Sequence, residues 1–200
     1  MIEKYPKKAI LRDKKEIIIR PLEEGDFREL LHFFQHLPTE DRIYFHSDVT
    51  NPKIVKDWCY NIDFSEVFPL IGLYKNKIIA DFTLHKNKYG WSPHVGEIRG
   101  IVAQGFRKLG IATIMFRDLM DVAITDNLKK IICYAMESQT DAVELLKRFH
   151  FKEEANLKDQ VVDFYGQLHN LLIMTHFAHD LWEELHQLYD KDLGVMSGIY

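Results

Sequence analysis

Gly96-Glu97-Ile98-Arg99-Gly100-Ile101-Val102-Ala103-Gln104-Gly105-Phe106-Arg107-Lys108-Leu109-Gly110-Ile111-Ala112-Thr113 is the stretch whose reading decides the fold. Apolar residues alternate up to Val102, the period of a strand; from Ile111 the apolar positions Ile111, Met115, Leu119 and Val122 step at helical spacing. The change falls between Gly105 and Gly110, so the stretch predicts a strand, a short basic turn and a helix start. A helix N-terminus carries free N–H groups and partial positive charge. Gly110 to Arg117 holds no acid, the first being Asp118, while Arg107 and Lys108 stand just before the turn. Gly110 and Ala112 let a ligand approach the backbone closely. Two readings fit these residues: a diphosphate held by consecutive N–H groups, or an ordinary corner with a solvated basic turn.

Two phosphate loops can be tested against the stretch. Gly105 to Gly110 has the GxxxxG half of a Walker loop, but Ile111-Ala112 stands where Lys-Ser/Thr is required. No GxGxxG is present, which disfavours a dinucleotide fold of that kind.

Outward from this stretch, 200 residues suit one domain or one domain with an appendage. A net charge of −4 argues against a broad nucleic-acid footprint. No apolar run approaches the roughly 20 residues of a membrane span, and Met1 to Pro6 lacks an apolar signal region. The only cysteines, Cys59 and Cys133, have no metal spacing. His32 and His36 lie one helical turn apart without an acid or Cys partner, so no metal site is expected. A reduced, cytoplasmic protein is the expectation.

Lys8–Arg12 and Glu16–Arg20 read as strands around Asp13-Lys14-Lys15, whose lysines read as a solvated hairpin. Asp26 caps a helix to about Leu37, Pro38 to His46 is irregular, and Asn51-Pro52 opens a helix to about Asn61. Val67–Tyr74 and Ile78–Lys86 form a hairpin, followed by the central strand from Val95. Leu128–Met136 is a strand and Ala142–Phe149 a helix; Lys152–Phe164 and Gln167–Phe177 are the last strands. Ala178 to about Lys191 reads as an amphipathic helix that packs on the parent sheet or on a second copy in a homodimer. The order β-β-α-α-β-β-β-α-β-α-β-β-α predicts an α/β (α+β layered) domain with a mixed, mostly antiparallel sheet and helices on both faces. Its expected limits are 1–177, with 178–200 as a C-terminal helix and tail.

Alternation places Glu97, Arg99 and Ile101 on one strand face and Ile98, Gly100 and Val102 on the other. An acid and an arginine on a middle strand are uncommon in a plain core. They read as a structural ion pair or as a carboxylate beside a reaction centre. Cys133 reads as a small buried apolar residue.

Arg107-Lys108-Leu109-Gly110-Ile111-Ala112 matches R/Q-x-x-G-x-G/A and resembles the acetyl-CoA pyrophosphate loop of the GNAT acetyltransferase family. Glu16 to Asp26 is similar to the first strand and turn of many GNAT domains. Ala142 to Phe151 resembles the late helix pattern A-I-x-L-Y-x-K-x-G-F, and Leu168 to Met174 the last strand. Within the family, the hairpin start, Leu37 to Phe45 and Gly96-Glu97 look most like the protein-lysine acetyltransferase branch. The resemblance implies an N-acetyltransferase using acetyl-CoA as co-substrate and an amine as acceptor. It implies Glu97 as general base and the Val102 N–H as oxyanion donor. It implies cofactor contacts from Ile101, Val102, Ala103, Arg107, Lys108, Leu109, Gly110, Ile111, Ala112 and Thr113, and from Gln139, where the family usually has Asn. Leu146 stands where the family often has a Tyr acid, and His150 where Gly is usual. A non-catalytic acyl-CoA-binding or sensing domain is the alternative.

Overall fold

The computed structural model describes residues 4–45 and 47–177. Eight strands form one sheet in the order β1-β2-β3-β4-β5-β6-β8-β7. They are β1 Lys7–Ile10, β2 Glu16–Pro21, β3 Val67–Tyr74, β4 Lys77–Lys86, β5 Val95–Val102, β6 Lys130–Met136, β7 Lys152–Val162 and β8 Leu168–Phe177. Every neighbouring pair is antiparallel except β5 and β6. The helices are α1 Phe27–Gln35, α2 Thr39–Arg42, α3 Pro52–Tyr60, α4 Ile111–Thr125 and α5 Thr140–Arg148. The parallel β5/β6 pair follows from α4, which returns the chain to the starting edge so that the next strand runs the same way.

Strand alternation divides the core into two layers. On one face Ile98, Val102, Phe82 and Leu84 pack with Ile111, Met115 and Leu119 of α4 and Leu146 of α5. On the other, Leu30 and Phe34 of α1 and Val55 and Cys59 of α3 cover Ile71 and Ile78. Gly100 is required where β4 crosses β5: a Cβ there would lie 2.2 Å from the Phe82 ring. Asp118, the first acid of α4, is buried and takes two hydrogen bonds from Lys7 Nζ at 2.5 and 2.7 Å, which ties β1 to α4.

The mixed, mostly antiparallel sheet with helices on both faces is the predicted architecture. Boundaries shift by a few residues: β6 starts at Lys130 rather than Leu128, and α5 starts at Thr140 rather than Ala142. One element was read as irregular. Thr39–Arg42 is a short helix, and its four polar residues carry no apolar period for sequence reasoning to detect. The predicted helix from Ala178 lies outside the described residues. Among the described residues no helix is long and apolar enough to cross a membrane, and no group of three or more His, Cys, Asp or Glu could hold a metal.

Candidate active site

β5 and β6 pair only from Val95↔Lys130 to Glu97↔Ile132. Beyond Glu97 the strands part, while β6 remains paired with β8 up to Met136↔Leu171. The result is a gap in the middle of the sheet with Glu97 at its fork. Main-chain direction in an antiparallel strand alternates. The Ala103 N–H donates to the Ile79 carbonyl of the neighbouring strand β4 at 2.8 Å, so odd-numbered β5 residues face β4. Ile98, Gly100 and Val102 therefore turn their N–H and C=O groups toward the gap, and the Ile98 N–H is directed at the Cys133 sulfur. An amide-bearing chain entering the gap meets peptide groups aimed at it, as a missing strand would. Ile101 and Ala103 behave differently from Val102. Ile101 is in register with Asp81 and its side chain packs toward α1 and α3, while the Ala103 N–H is already taken.

Glu97 lies on the α1/α3 face, with its side chain 23% exposed, and accepts from Arg99 Nε at 2.5 Å and Nη2 at 3.1 Å. The pair is bidentate, which fixes the carboxylate plane. Tyr134, two residues past the last β5/β6 partner on β6, feels both charges: burial raises its phenol first, Glu97 adds to that, and Arg99 opposes it. The Tyr134 phenol thus stays protonated at neutral pH beside a carboxylate.

The turn after β5 is a single 3₁₀ turn at Gln104–Phe106. Lys108 and Gly110 then adopt positive φ, 62° and 96°. The left-handed Gly110 starts α4 with no side-chain cap and no acid in the first turn. The first intrahelical bond runs from Ile114 N–H to the Gly110 carbonyl, so the N–H groups of Ile111, Ala112 and Thr113 have no helical acceptor. The β1–β2 hairpin backs this loop: Arg12 N–H donates to the Leu109 carbonyl at 3.1 Å and the Arg12 guanidinium points at the Lys108 carbonyl at 3.4 Å. Two carbonyls of the loop are thereby tied to the hairpin. Lys108 Nζ sits 3.3 Å from Asp141 at the start of α5.

Arg107 does not point at these amides. Its Nε donates to the Val102 carbonyl at 3.1 Å and its Nη2 pairs with Asp41 of α2. The Gln139 side-chain oxygen is also engaged, accepting the Met136 N–H at 2.8 Å. Leu146 is a buried core residue. Burial pushes the Cys133 thiol up and Glu97 adds to that, so it is a poor nucleophile where it stands. A cavity of ≈ 410 Å³ lies elsewhere, lined by Arg20, Leu22, Cys59 and Phe64 among others. The Cys59 thiol there is raised to about 11 by burial.

Sequence reasoning passed over Asp81, which lies in register with Ile101 on the α1/α3 face. Burial raises its carboxyl from 3.8 to about 7. A carboxyl raised on folding keeps a proton that the unfolded chain has lost, so stability falls as pH climbs from about 4 to 7. The displacement corresponds to at most ~4 kcal/mol. Asp81→Asn is expected to leave stability nearly unchanged at pH 4 and to raise the melting temperature by several degrees at pH 8. An equal change at both pH values would contradict the assignment, and thermal unfolding followed by circular dichroism reads it.

The family model described as the acetyltransferase (GNAT) family matches residues 29–151. Solved structures share the fold. The GNAT domain of PAT from S. lividans is 14% identical, with 86% of this chain and 96% of that chain covered at a TM-score of 0.69. A ribosomal-protein-alanine N-acetyltransferase from Brucella melitensis is 19% identical over 80% and 98%, at 0.70. An N-acetyltransferase from Staphylococcus aureus Mu50 is 15% identical over 80% and 98%, at 0.71. No curated protein sequence matches the chain.

Proposed function

The chain belongs to the GNAT acetyltransferase family, and from that premise we propose that it moves an acetyl group from acetyl-CoA to a primary amine by direct attack. One observation carries the reading: a gap in the sheet presents the main chain of Gly100 and Val102 between a carboxylate at its fork and uncapped helix amides at its mouth. The pantetheine arm of coenzyme A is a chain of amides and suits the gap. Its diphosphate suits the N–H groups of Ile111, Ala112 and Thr113, flanked by Lys108 and, after a side-chain turn, by Arg107.

An alkyl ammonium has a pKa of about 10.4 and is no nucleophile until it loses a proton. Glu97 accepts that proton, directly or through water. The neutral nitrogen then attacks the thioester carbonyl. A C–N bond forms as the carbonyl oxygen gains charge, and the Val102 N–H, aimed into the gap, stabilises that charge. The C–S bond breaks with its electron pair on sulfur, the extra proton on the attacking nitrogen passes to the coenzyme A thiolate directly or through water, and the amide and the free thiol depart. A thiolate has a parent pKa near 8.5, roughly, and leaves without a dedicated acid more readily than an alkoxide. That suits a site with Leu146 at the usual Tyr position. Arg99 holds the Glu97 carboxylate in place through its two hydrogen bonds.

The resemblance around Glu97 and α2 favours a protein lysine over a small amine as acceptor. The competing reading, a domain that binds acyl-CoA without turning it over, draws on the buried Leu146. A thiol-release assay over a panel of amines and lysine peptides separates the two. Turnover with any member above hydrolysis supports transfer. Tight acetyl-CoA binding with no turnover across the panel supports the sensor.

A further inference from the structure

Asp41 is a charged side chain with only 12% of its surface exposed, and its partner is an arginine of the cofactor loop 66 residues away. That arginine, Arg107, also caps the Val102 carbonyl, one of the groups turned into the gap. The bridge from Val102 through Arg107 to Asp41 therefore lies across the mouth where a diphosphate and an amide chain would enter. Tyr44 stands beside the pair, within the electrostatic reach of Asp41, Arg107 and Asp163 of the β7–β8 turn. Asp41 on α2 and Arg107 on the loop before α4 thus meet beside the Val102 carbonyl.

We propose that Asp41 is an exchangeable carboxylate: it holds Arg107 before the cofactor arrives and recognises the cationic acceptor after Arg107 has been drawn to the diphosphate. The inference rests on the acetyl-transfer reading of this site and adds to it the residue that selects a cationic acceptor. A guanidinium offered a doubly charged diphosphate at a helix N-terminus leaves a single carboxylate. The carboxylate left behind is largely buried, and a buried charge without a partner is costly. An alkyl ammonium reaching the rim restores the pair. The acceptor therefore binds better once the cofactor is in place, and each ligand favours the other by the same factor.

The test is calorimetric titration of the full-length chain with acetyl-CoA, comparing Asp41→Asn, Arg107→Ala and the double variant with the wild type. Asp41→Asn frees Arg107 in advance and is expected to tighten acetyl-CoA binding by about five-fold, the scale of a partly exposed ion pair. The gain should vanish when Arg107 is already Ala. Glu40→Gln, on the exposed side of the same helix, makes the same charge change without touching Arg107 and should move affinity less than two-fold. The second arm saturates the protein with coenzyme A and titrates Nα-acetyl-lysinamide. The wild type is expected to bind this probe about ten-fold more tightly than Asp41→Asn does. Unchanged acetyl-CoA affinity in Asp41→Asn, or a gain that persists without Arg107, overturns the exchange. Equal probe binding by wild type and Asp41→Asn overturns the acceptor role. Failure of the wild type to bind acetyl-CoA at all would instead sink the transferase reading itself.

Discussion

Gly110→Glu is expected to weaken acetyl-CoA binding at least 100-fold while the protein stays folded. Gly110 has φ 96° and no neighbouring atom within 4 Å of a Cβ built on it, so a side chain there meets open space rather than a clash. The left-handed backbone costs an L-residue roughly 1–2 kcal/mol. A carboxylate at the start of α4 regains about 0.3–1 kcal/mol from the helix dipole, so the fold survives. Affinity does not, because the new charge sits where the diphosphate would lie and competes for the same amides. Gly110→Ala carries the backbone cost without the charge and should lose no more than about ten-fold. Equal losses in the two variants would mean that the effect is strain and that the loop does not face an anion.

The second large effect is on turnover. Glu97→Gln should lower kcat by about 10²–10⁴-fold at neutral pH, the usual worth of a positioned base, and leave acetyl-CoA affinity within two-fold. The amide keeps an oxygen for Arg99 to bond, so the local frame at the fork is preserved. Separation of the two parameters is expected from the geometry. Glu97 projects toward the α1/α3 face, whereas the cofactor contacts proposed for β5 are main-chain groups. The deficit should shrink as pH rises toward 10, since a growing share of the acceptor amine is then free without help. A variant with wild-type kcat across that range would remove Glu97 from the mechanism.

Much of this site was legible in the chain because it depends on local order. The change from period two to period 3.6 around Gly105–Gly110 located the strand, the turn and the helix start. The absence of acids before Asp118 marked the helix end as open. Alternation placed Glu97 and Arg99 on one face, where they form a pair. The unread parts depend on what lies opposite. Nothing in Arg107 announces that its partner is Asp41, on a four-residue helix with no apolar period. Arg12 reads only as the end of a strand until the sheet sets the hairpin against the loop carbonyls. Asp81 is a lone acid in its strand, and only its burial in the fold raises its carboxyl. Tyr134 comes within electrostatic reach of Glu97 and Arg99 where the β5/β6 pairing ends, two residues before it. The main-chain contrast between Val102 and Ile101 needs the register with β4, which a single sequence does not contain.

Acetyl transfer at this site requires the amides at the start of α4 to receive the phosphorylated end of coenzyme A. Amide NMR during a titration with acetyl-CoA observes those groups one by one. The resonances of Ile111, Ala112 and Thr113 are expected to shift downfield and saturate together with those of Gly100 and Val102, as new acceptors arrive. Saturable binding that leaves the Ile111, Ala112 and Thr113 amides where they were would contradict it.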